Sequence, residues 1–393
     1  MSLKIAIAGG GIGGLAAVLA LSRTGQHVEL FEKAAVFSDI GAGIQLGPNV
    51  TRIFQNWGLL DALRRTAVAP DRLQVRSATT GGVLGELRLG AAMTERYGTP
   101  YLTLHRADLH SVLLQAVRQT SALSHTDCAV NSFQQTAQAV AVQTNGETQD
   151  FDALIGADGL WSKTRQQLLS DGAPRRTGHL AYRALIKQAE LPERLRSQNV
   201  TAWLGPKMHA VQYPVRGGEW LNVVVFVHGD APDDFQNWDH SANTAELSHQ
   251  FHGSCPALQD TVQAASNWRL WVMHDRLPMQ GYDQHALGRV ALLGDAAHPM
   301  RPYLAQGAGM AIEDAAELGK AMYGVTSDDV QAALQSFAMN RWQRNARVQA
   351  RALRNGQIFH ASGLMRLGRD TAMKLVGERL LDIPWLYMGL ESS

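Results

Sequence analysis

The sequence predicts an α/β protein built on a parallel sheet, with an antiparallel-sheet domain inserted into it and a helical segment at the C-terminus. Three observations carry this. A glycine cluster, Gly9 to Gly14, separates a short apolar strand from a helical stretch. Two later apolar runs, Phe151 to Ala157 and Val290 to Gly294, each lead to a Gly and an Asp where a buried strand would leave a sheet. Between them, Val200 to Gln212 and Trp220 to His228 are rich in apolar and aromatic residues and are separated by the turn-forming stretch Pro214-Val215-Arg216-Gly217-Gly218.

The first element is the strand Leu3 to Ala8, followed by a helix to Arg23, a turn at Gly25 and a second strand, His27 to Glu32. That is one βαβ unit. Within it, Gly9, Gly11 and Gly14 satisfy GxGxxG directly after a strand and at the start of a helix, the context that gives this short pattern its meaning. The first glycine permits the tight turn, the second lets backbone approach a pyrophosphate, and the third lets helix and strand pack closely. With Gly13, the helix start then offers N–H groups and a partial positive charge to a dinucleotide phosphate. Glu32, beside Lys33, closes the second strand where a carboxylate accepts hydrogen bonds from a ribose 2′-hydroxyl. The fingerprint by itself leaves FAD and NAD undecided.

The rest of the chain bounds the function. With 45% hydrophobic and 18% charged residues over 393 positions, it is long enough for a large core and too ordinary for a disordered or fibrous protein. A net charge of +1 steers it toward neither nucleic acid nor anionic membrane, so its expected partners are small molecules. Cys128 and Cys255 form neither a disulfide framework nor a metal motif, which favours the cytoplasm and no metal. No signal peptide and no apolar run of spanning length is read, so the chain is expected to stay where it is made. The segment from Val330 onward is helical, with arginines at 341, 344, 347, 351 and 354 on one face. A solvated or salt-bridged face is the expected reading and a partner-binding stripe the alternative. The domains are expected at 1–72, 100–178 and 275–340, then 73–99 and 179–274, then the helical segment 341–393.

Two further motifs decide the cofactor. With Gly156-Ala157-Asp158-Gly159 and Gly294-Asp295-Ala296-Ala297-His298-Pro299 following the fingerprint in order, the sequence resembles the class A flavoprotein aromatic hydroxylases, which share the para-hydroxybenzoate hydroxylase fold. The resemblance covers nearly the whole chain. It implies a Rossmann-like FAD-binding domain carrying the inserted substrate domain. It implies that Asp295 bonds the flavin ribityl chain, that Arg106 binds FAD, and that Asp158 serves FAD and nicotinamide nucleotide binding. The small residues Gly307, Ala308 and Gly309 would let a flavin ring lie against backbone. The helix after them would aim its positive end at the ring.

The reaction this resemblance implies is hydroxylation of a small aromatic ring with NAD(P)H and O2 through a flavin hydroperoxide, with NADH expected over NADPH. Gly41 to Asn49 and Gln212 to Gly218 fit the branch containing 3-hydroxybenzoate 6-hydroxylase, salicylate hydroxylase and 6-hydroxynicotinate 3-monooxygenase. Hydroxybenzoate-like or hydroxypyridine carboxylates are therefore the expected substrates. Two departures stand out. Gln212 takes the place of a histidine that assists phenol deprotonation, and an amide is no base. Pro302 replaces a glutamine. His209 becomes the alternative base only if a bulge turns it inward, because three residues along a regular strand reverse the face. Tyr303 is expected to orient the substrate, and Gln45 to face the flavin or the ring. A flavin halogenase is excluded by the spacing of Trp268 and Trp271. A FAD-dependent reductase and a non-enzymatic flavoprotein remain as alternatives, and the chain is expected as a monomer or homodimer.

Overall fold

The computed structural model describes residues 2–37, 41–230, 240–241, 247 and 251–389. The chain divides into two compact units, each discontinuous in sequence. The first comprises residues 1–40, 109–175 and 274–353, and the second 41–108, 176–273 and 354–393. Segments 41–72, 100–108 and 354–393 thus group with the inserted sheet. The strands Gly43–Leu46 and Leu102–His105 explain the first two, since they pair with one another.

The first unit is organised by a six-stranded sheet. Its order is Ala286–Leu287, Val290–Leu292, Ala153–Gly156, Lys4–Ala8, His27–Phe31 and Leu123–His125. All neighbours run parallel except the edge pair Ala286–Leu287 and Val290–Leu292. The central strands are apolar runs because both faces are covered, and Ala153–Gly156 is buried throughout. The helices Ile12–Ser22 and Gly307–Ala321 pack on one another. Gly319 permits it: a Cβ there would lie 3.0 Å from that of Ala20. The three motif strands expected from sequence are therefore sheet neighbours, and each motif sits at a strand's C-terminal end, where ligands bind in open α/β sheets.

The second unit is built on an eight-stranded sheet. In order its strands are His240–Ser241, Arg269–Asp275, Arg175–Lys187, Trp220–His228, Met208–Val215, Val200–Gly205, Arg72–Ser77 and Val83–Arg88. Val200–Gly205 and Arg72–Ser77 pair in parallel, whereas the pairs Arg175–Lys187 with Trp220–His228, Trp220–His228 with Met208–Val215, Met208–Val215 with Val200–Gly205, Arg72–Ser77 with Val83–Arg88, and His240–Ser241 with Arg269–Asp275 are antiparallel. The expected hairpin is present, with Arg216, Gly217 and Gly218 at φ 52°, 64° and 90°. The long run Val200 to Gln212 instead splits into two strands at Lys207, whose φ is 58°. One sheet face carries Tyr182, Ala184, Trp203, Ala210, Val223 and Val225 into an apolar cluster sealed by Phe251, Leu258 and Trp268.

The C-terminal segment is helical as expected, with helices Val330–Phe359, Gly363–Leu381 and Pro384–Tyr387. Its arginines do not share one environment. Arg341 is fully buried and it and Arg344 are salt-bridged, while Arg347 and Arg354 are exposed, so the face is salt-bridged at one end and solvated at the other. Helical spacing places residues on a face, and tertiary packing decides what covers it.

Candidate active site

In the first unit the fingerprint residues each meet a geometric demand. Gly9 adopts φ +102°, and a Cβ there would sit 2.5 Å from the Ala157 carbonyl oxygen. A Cβ on Gly13 would meet Leu293 at 2.8 Å, so this glycine serves packing. Gly11 differs, because a Cβ there meets nothing within 4 Å. It caps a helix that has no side-chain cap and no acidic residue in its first turn. A helix start with no side-chain cap leaves first-turn amides without intrahelical partners, as an anion-binding site requires. Glu32 is fixed by two backbone donors, with Gly10 N–H bonding its Oε2 at 2.6 Å and Ala34 N–H its Oε1 at 2.8 Å. Each oxygen keeps a lone pair for a ribose hydroxyl. Lys33 is exposed.

Asp158 accepts from the hydroxyls of Ser162 and Thr164 and from the Thr164 amide at 3.1 Å. It thereby braces the start of the helix Lys163–Leu169, where Ser162 accepts from the Arg165 amide.

The third motif rests on a buried ionic network that sequence reasoning missed. The Asp314 carboxylate accepts from the Gly294 amide at 3.1 Å, from His298 Nε2 at 2.5 Å and from Arg341 Nε at 2.8 Å. Arg341 also donates to Glu313, at 2.9 Å, and to Asn345, whose amide nitrogen donates to Asp314 and to His285 Nε2. Arg344 donates to both Glu313 oxygens, at 2.6 and 2.8 Å. Burial pushes the Asp314 carboxyl upward, but His298 and Arg341 outweigh it and hold it well below the usual carboxylate range. The network holds Gly294 at φ +58° and presents Asp295, which is exposed. Only the alternation of His, acid and Arg hinted at it.

His285, in the same network, is pushed down to about 4 from 6.5, chiefly by burial. Below pH 6.5 the unfolded chain takes up a proton that the folded chain refuses until about pH 4. Stability is therefore complete above pH 6.5 and falls by about 3 kcal/mol across that window. Unfolding free energies of the wild type and His285→Gln at pH 7, 5.5 and 4.5 test this. The expected result is a steeper decline in the wild type, and equal slopes would sink it.

After Pro302, which is half-buried, and Tyr303, which is 4% exposed, Ala305 takes the left-handed φ of +53°. Such strain in a non-glycine residue persists only where surrounding structure imposes it. It redirects the chain into the helix Gly307–Ala321, again without a side-chain cap or first-turn acid, and a Cβ on Gly307 meets nothing within 4 Å. Burial raises the Tyr303 phenol, so it acts as a neutral hydroxyl.

The second unit carries a polar group on the sheet face opposite its apolar cluster. Tyr213 pairs with Asn222 and Arg183 with Val224, which puts Tyr213, Asn222 and Arg183 on that face. Asn222 accepts from the Gly43 amide at 2.7 Å, and a Cβ on Gly43 would strike Tyr213 at 2.5 Å. Gln45 accepts from the Tyr101 hydroxyl at 2.6 Å and bonds Tyr213. Arg106 packs on Gly41. Arg183 lies 3.3 Å over the Trp271 ring, and burial lowers its guanidinium to about 9.

Gln212 and His209 are resolved by the same strand. Register is continuous, with no bulge, so they point to opposite faces. Gln212 lies on the packed face and accepts from Trp203 Nε1 at 3.2 Å. His209 shares the face of Tyr213, four residues on, and no bulge is needed to bring it there.

Two uncapped helix starts, an open glycine backbone, a fixed carboxylate at the second strand and an exposed Asp at the third motif define a scaffold for a flavin dinucleotide. The chain belongs to the FAD binding domain family, which it matches over residues 2–352. It is 39% identical to 3-hydroxybenzoate 6-hydroxylase of Polaromonas naphthalenivorans, covering 98% of this chain and 96% of that one. It is 34% identical to 6-hydroxynicotinate 3-monooxygenase of Pseudomonas fluorescens, covering 94% and 93%. A salicylate hydroxylase substrate complex superposes with a TM-score of 0.84 at 27% identity over 98% of this chain and 95% of that one. The chain is a flavin-dependent monooxygenase.

Gly11→Ala separates scaffold from ligand. The methyl group meets no protein atom, so unfolding temperature without FAD should stay unchanged. FAD affinity should fall about tenfold if backbone there touches the pyrophosphate. Titration with FAD checks this, and unchanged affinity would place the phosphate elsewhere.

Proposed function

We propose that this monooxygenase hydroxylates a single aromatic ring bearing a carboxylate and a hydroxyl group, with NADH as reductant. Arg183 carries the reading. It is a guanidinium in interior surroundings, stacked on Trp271, and among the described residues no carboxylate pairs with it. Arg183 is half-buried; a partly desolvated cation without a counter-ion is costly, and an anionic ligand supplies one. Arg binds carboxylates with paired donors, and Tyr213 on the same face offers a hydroxyl to the ring. Relatives named for hydroxybenzoate and hydroxynicotinate substrates agree with that chemistry.

FAD, when bound, supplies the reduction and oxygen-activation chemistry. Gly11 and the start of the following helix hold its pyrophosphate, Glu32 its ribose, Asp295 its ribityl chain and Gly307 to Gly309 its ring system. Tyr213, set by Gln45, orients the aromatic ring. His209 accepts the proton of the substrate hydroxyl, because an electron-rich phenolate ring reacts faster with an electrophilic oxygen. Gln212 then keeps a structural role through Trp203.

The experiment is oxidation of NADH and NADPH by FAD-loaded protein across hydroxybenzoates and hydroxynicotinates, with product mass recorded. Stimulation with gain of one oxygen supports the reading, and no stimulation by any ring acid overturns it. Arg183→Gln should raise KM about 10- to 100-fold for carboxylated rings, the worth of a charge-assisted contact. Equal loss with uncharged phenols would remove Arg183 from carboxylate recognition.

A further inference from the structure

Four histidines from four separate segments converge in the second unit, and three of them form a continuous hydrogen-bonded chain. His209 Nδ1 lies 2.7 Å from His360 Nε2, and His360 Nδ1 lies 2.9 Å from His228 Nε2. His360 therefore uses both ring nitrogens as links. The two ends differ in access: His209 is 0% exposed and His360 8%, whereas His228 is exposed. We infer that His209, His360 and His228 form a proton wire that carries the substrate hydroxyl's proton from the buried ring site to solvent. This rests on the proposed role of His209 as proton acceptor.

Neutral imidazole has one donor and one acceptor nitrogen, so three rings in line can all point the same way. His209 Nε2 takes the phenolic proton, and its Nδ1 proton passes to His360 Nε2. The proton on His360 Nδ1 then passes to His228 Nε2, and His228 Nδ1 releases its own to water. Every ring ends neutral with its tautomer reversed. Return of a proton to the product phenolate along the same path resets the chain.

The surroundings suit transfer rather than charge storage. His209 stacks on Phe226 with ring centroids 4.4 Å apart and meets Phe359 edge-on. Burial, then His360 and His179, keep His209 well below the ordinary histidine range, so a proton does not rest there. His179 lies tilted against His228 at 4.3 Å and against His360 at 4.9 Å. A buried acceptor of low basicity works only if its proton is passed on, and the chain provides that outlet.

The test uses FAD-loaded full-length protein with 3-hydroxybenzoate and 6-hydroxynicotinate as probes. Stopped-flow absorbance follows conversion of bound phenol to phenolate, in water and in deuterium oxide. His360→Gln keeps hydrogen-bonding capacity but breaks the relay, so deprotonation should slow about 10- to 100-fold with probe Kd unchanged. His228→Gln, at the exposed end and outside the core, should also slow it, and added imidazole should restore the rate. Rates in His360→Gln and His228→Gln within twofold of wild type, with the same solvent isotope effect, would overturn the wire while leaving the hydroxylase reading intact. If neither probe is deprotonated or stimulates NADH oxidation in wild type, the reading of the ring site fails, and the wire with it.

Discussion

Asp314→Ala is expected to cost about 3–5 kcal/mol of unfolding free energy, the typical penalty for removing one partner of a buried ion pair. The reason is what stays behind. Arg341 is fully buried, and without Asp314 its charged partner among the described residues is Glu313 alone, which Arg344 already engages. The Gly294 amide and His298 lose their acceptor as well. Urea unfolding of the apoprotein at pH 7 measures the effect. A loss under 1 kcal/mol would mean that the site relaxes or hydrates freely. Because Gly294 precedes Asp295, FAD affinity should fall along with stability. Replacing Asp314 and Arg341 together with apolar residues should recover part of the stability but not the FAD affinity, since the bond that places the third motif stays broken.

Gly14→Ala should abolish useful FAD binding. A Cβ at position 14 would lie 1.9 Å from the Gly9 carbonyl oxygen and 3.5 Å from the Ala157 side chain. The helix Ile12–Ser22 cannot yield easily, because eight of its eleven residues besides Gly14 are buried. The glycine turn must therefore shift, and overpacking of this kind costs about 1–3 kcal/mol. At the upper end that corresponds to about 100-fold in affinity if the whole displacement falls on the nucleotide-binding backbone. Flavin content of the purified protein and titration of the apoprotein both read it. Full flavin occupancy would show that the third glycine is not needed for helix and strand to approach. Gly11→Ala is the matched comparison for the scaffold alone, since its methyl group meets no protein atom and should leave the turn in place.

Much of the cofactor site was legible in the sequence because its signals are local. A strand, three glycines and a helix within twenty residues specify a βαβ turn by backbone sterics, and Glu32 follows by strand geometry. The later motifs mark strand ends for the same reason. The ring site was less legible. The resemblance puts Gln212 where relatives carry a histidine, but adjacent strand residues face opposite ways, and His209, four residues before Tyr213, shares the Tyr213 face.

By itself, then, the sequence determined the fold class, the dinucleotide fingerprint and the family of chemistry, because each depends on contacts within a few residues or on motifs set at strand ends. Tertiary structure decided which polar residues are buried and what they meet. Arg341 reads as one member of a solvated or salt-bridged face until Asp314 and Glu313 are seen to enclose it. Arg183 reads as an ordinary strand residue until Trp271 is found beneath it and, among the described residues, no ion pair with an acid. The four histidines at 179, 209, 228 and 360 carry no shared pattern in the chain. Their cluster exists because pairing of three strands and the end of the helix Val330–Phe359 brings them within hydrogen-bond reach. Charge and proton networks need only proximity in space, which sequence spacing does not encode.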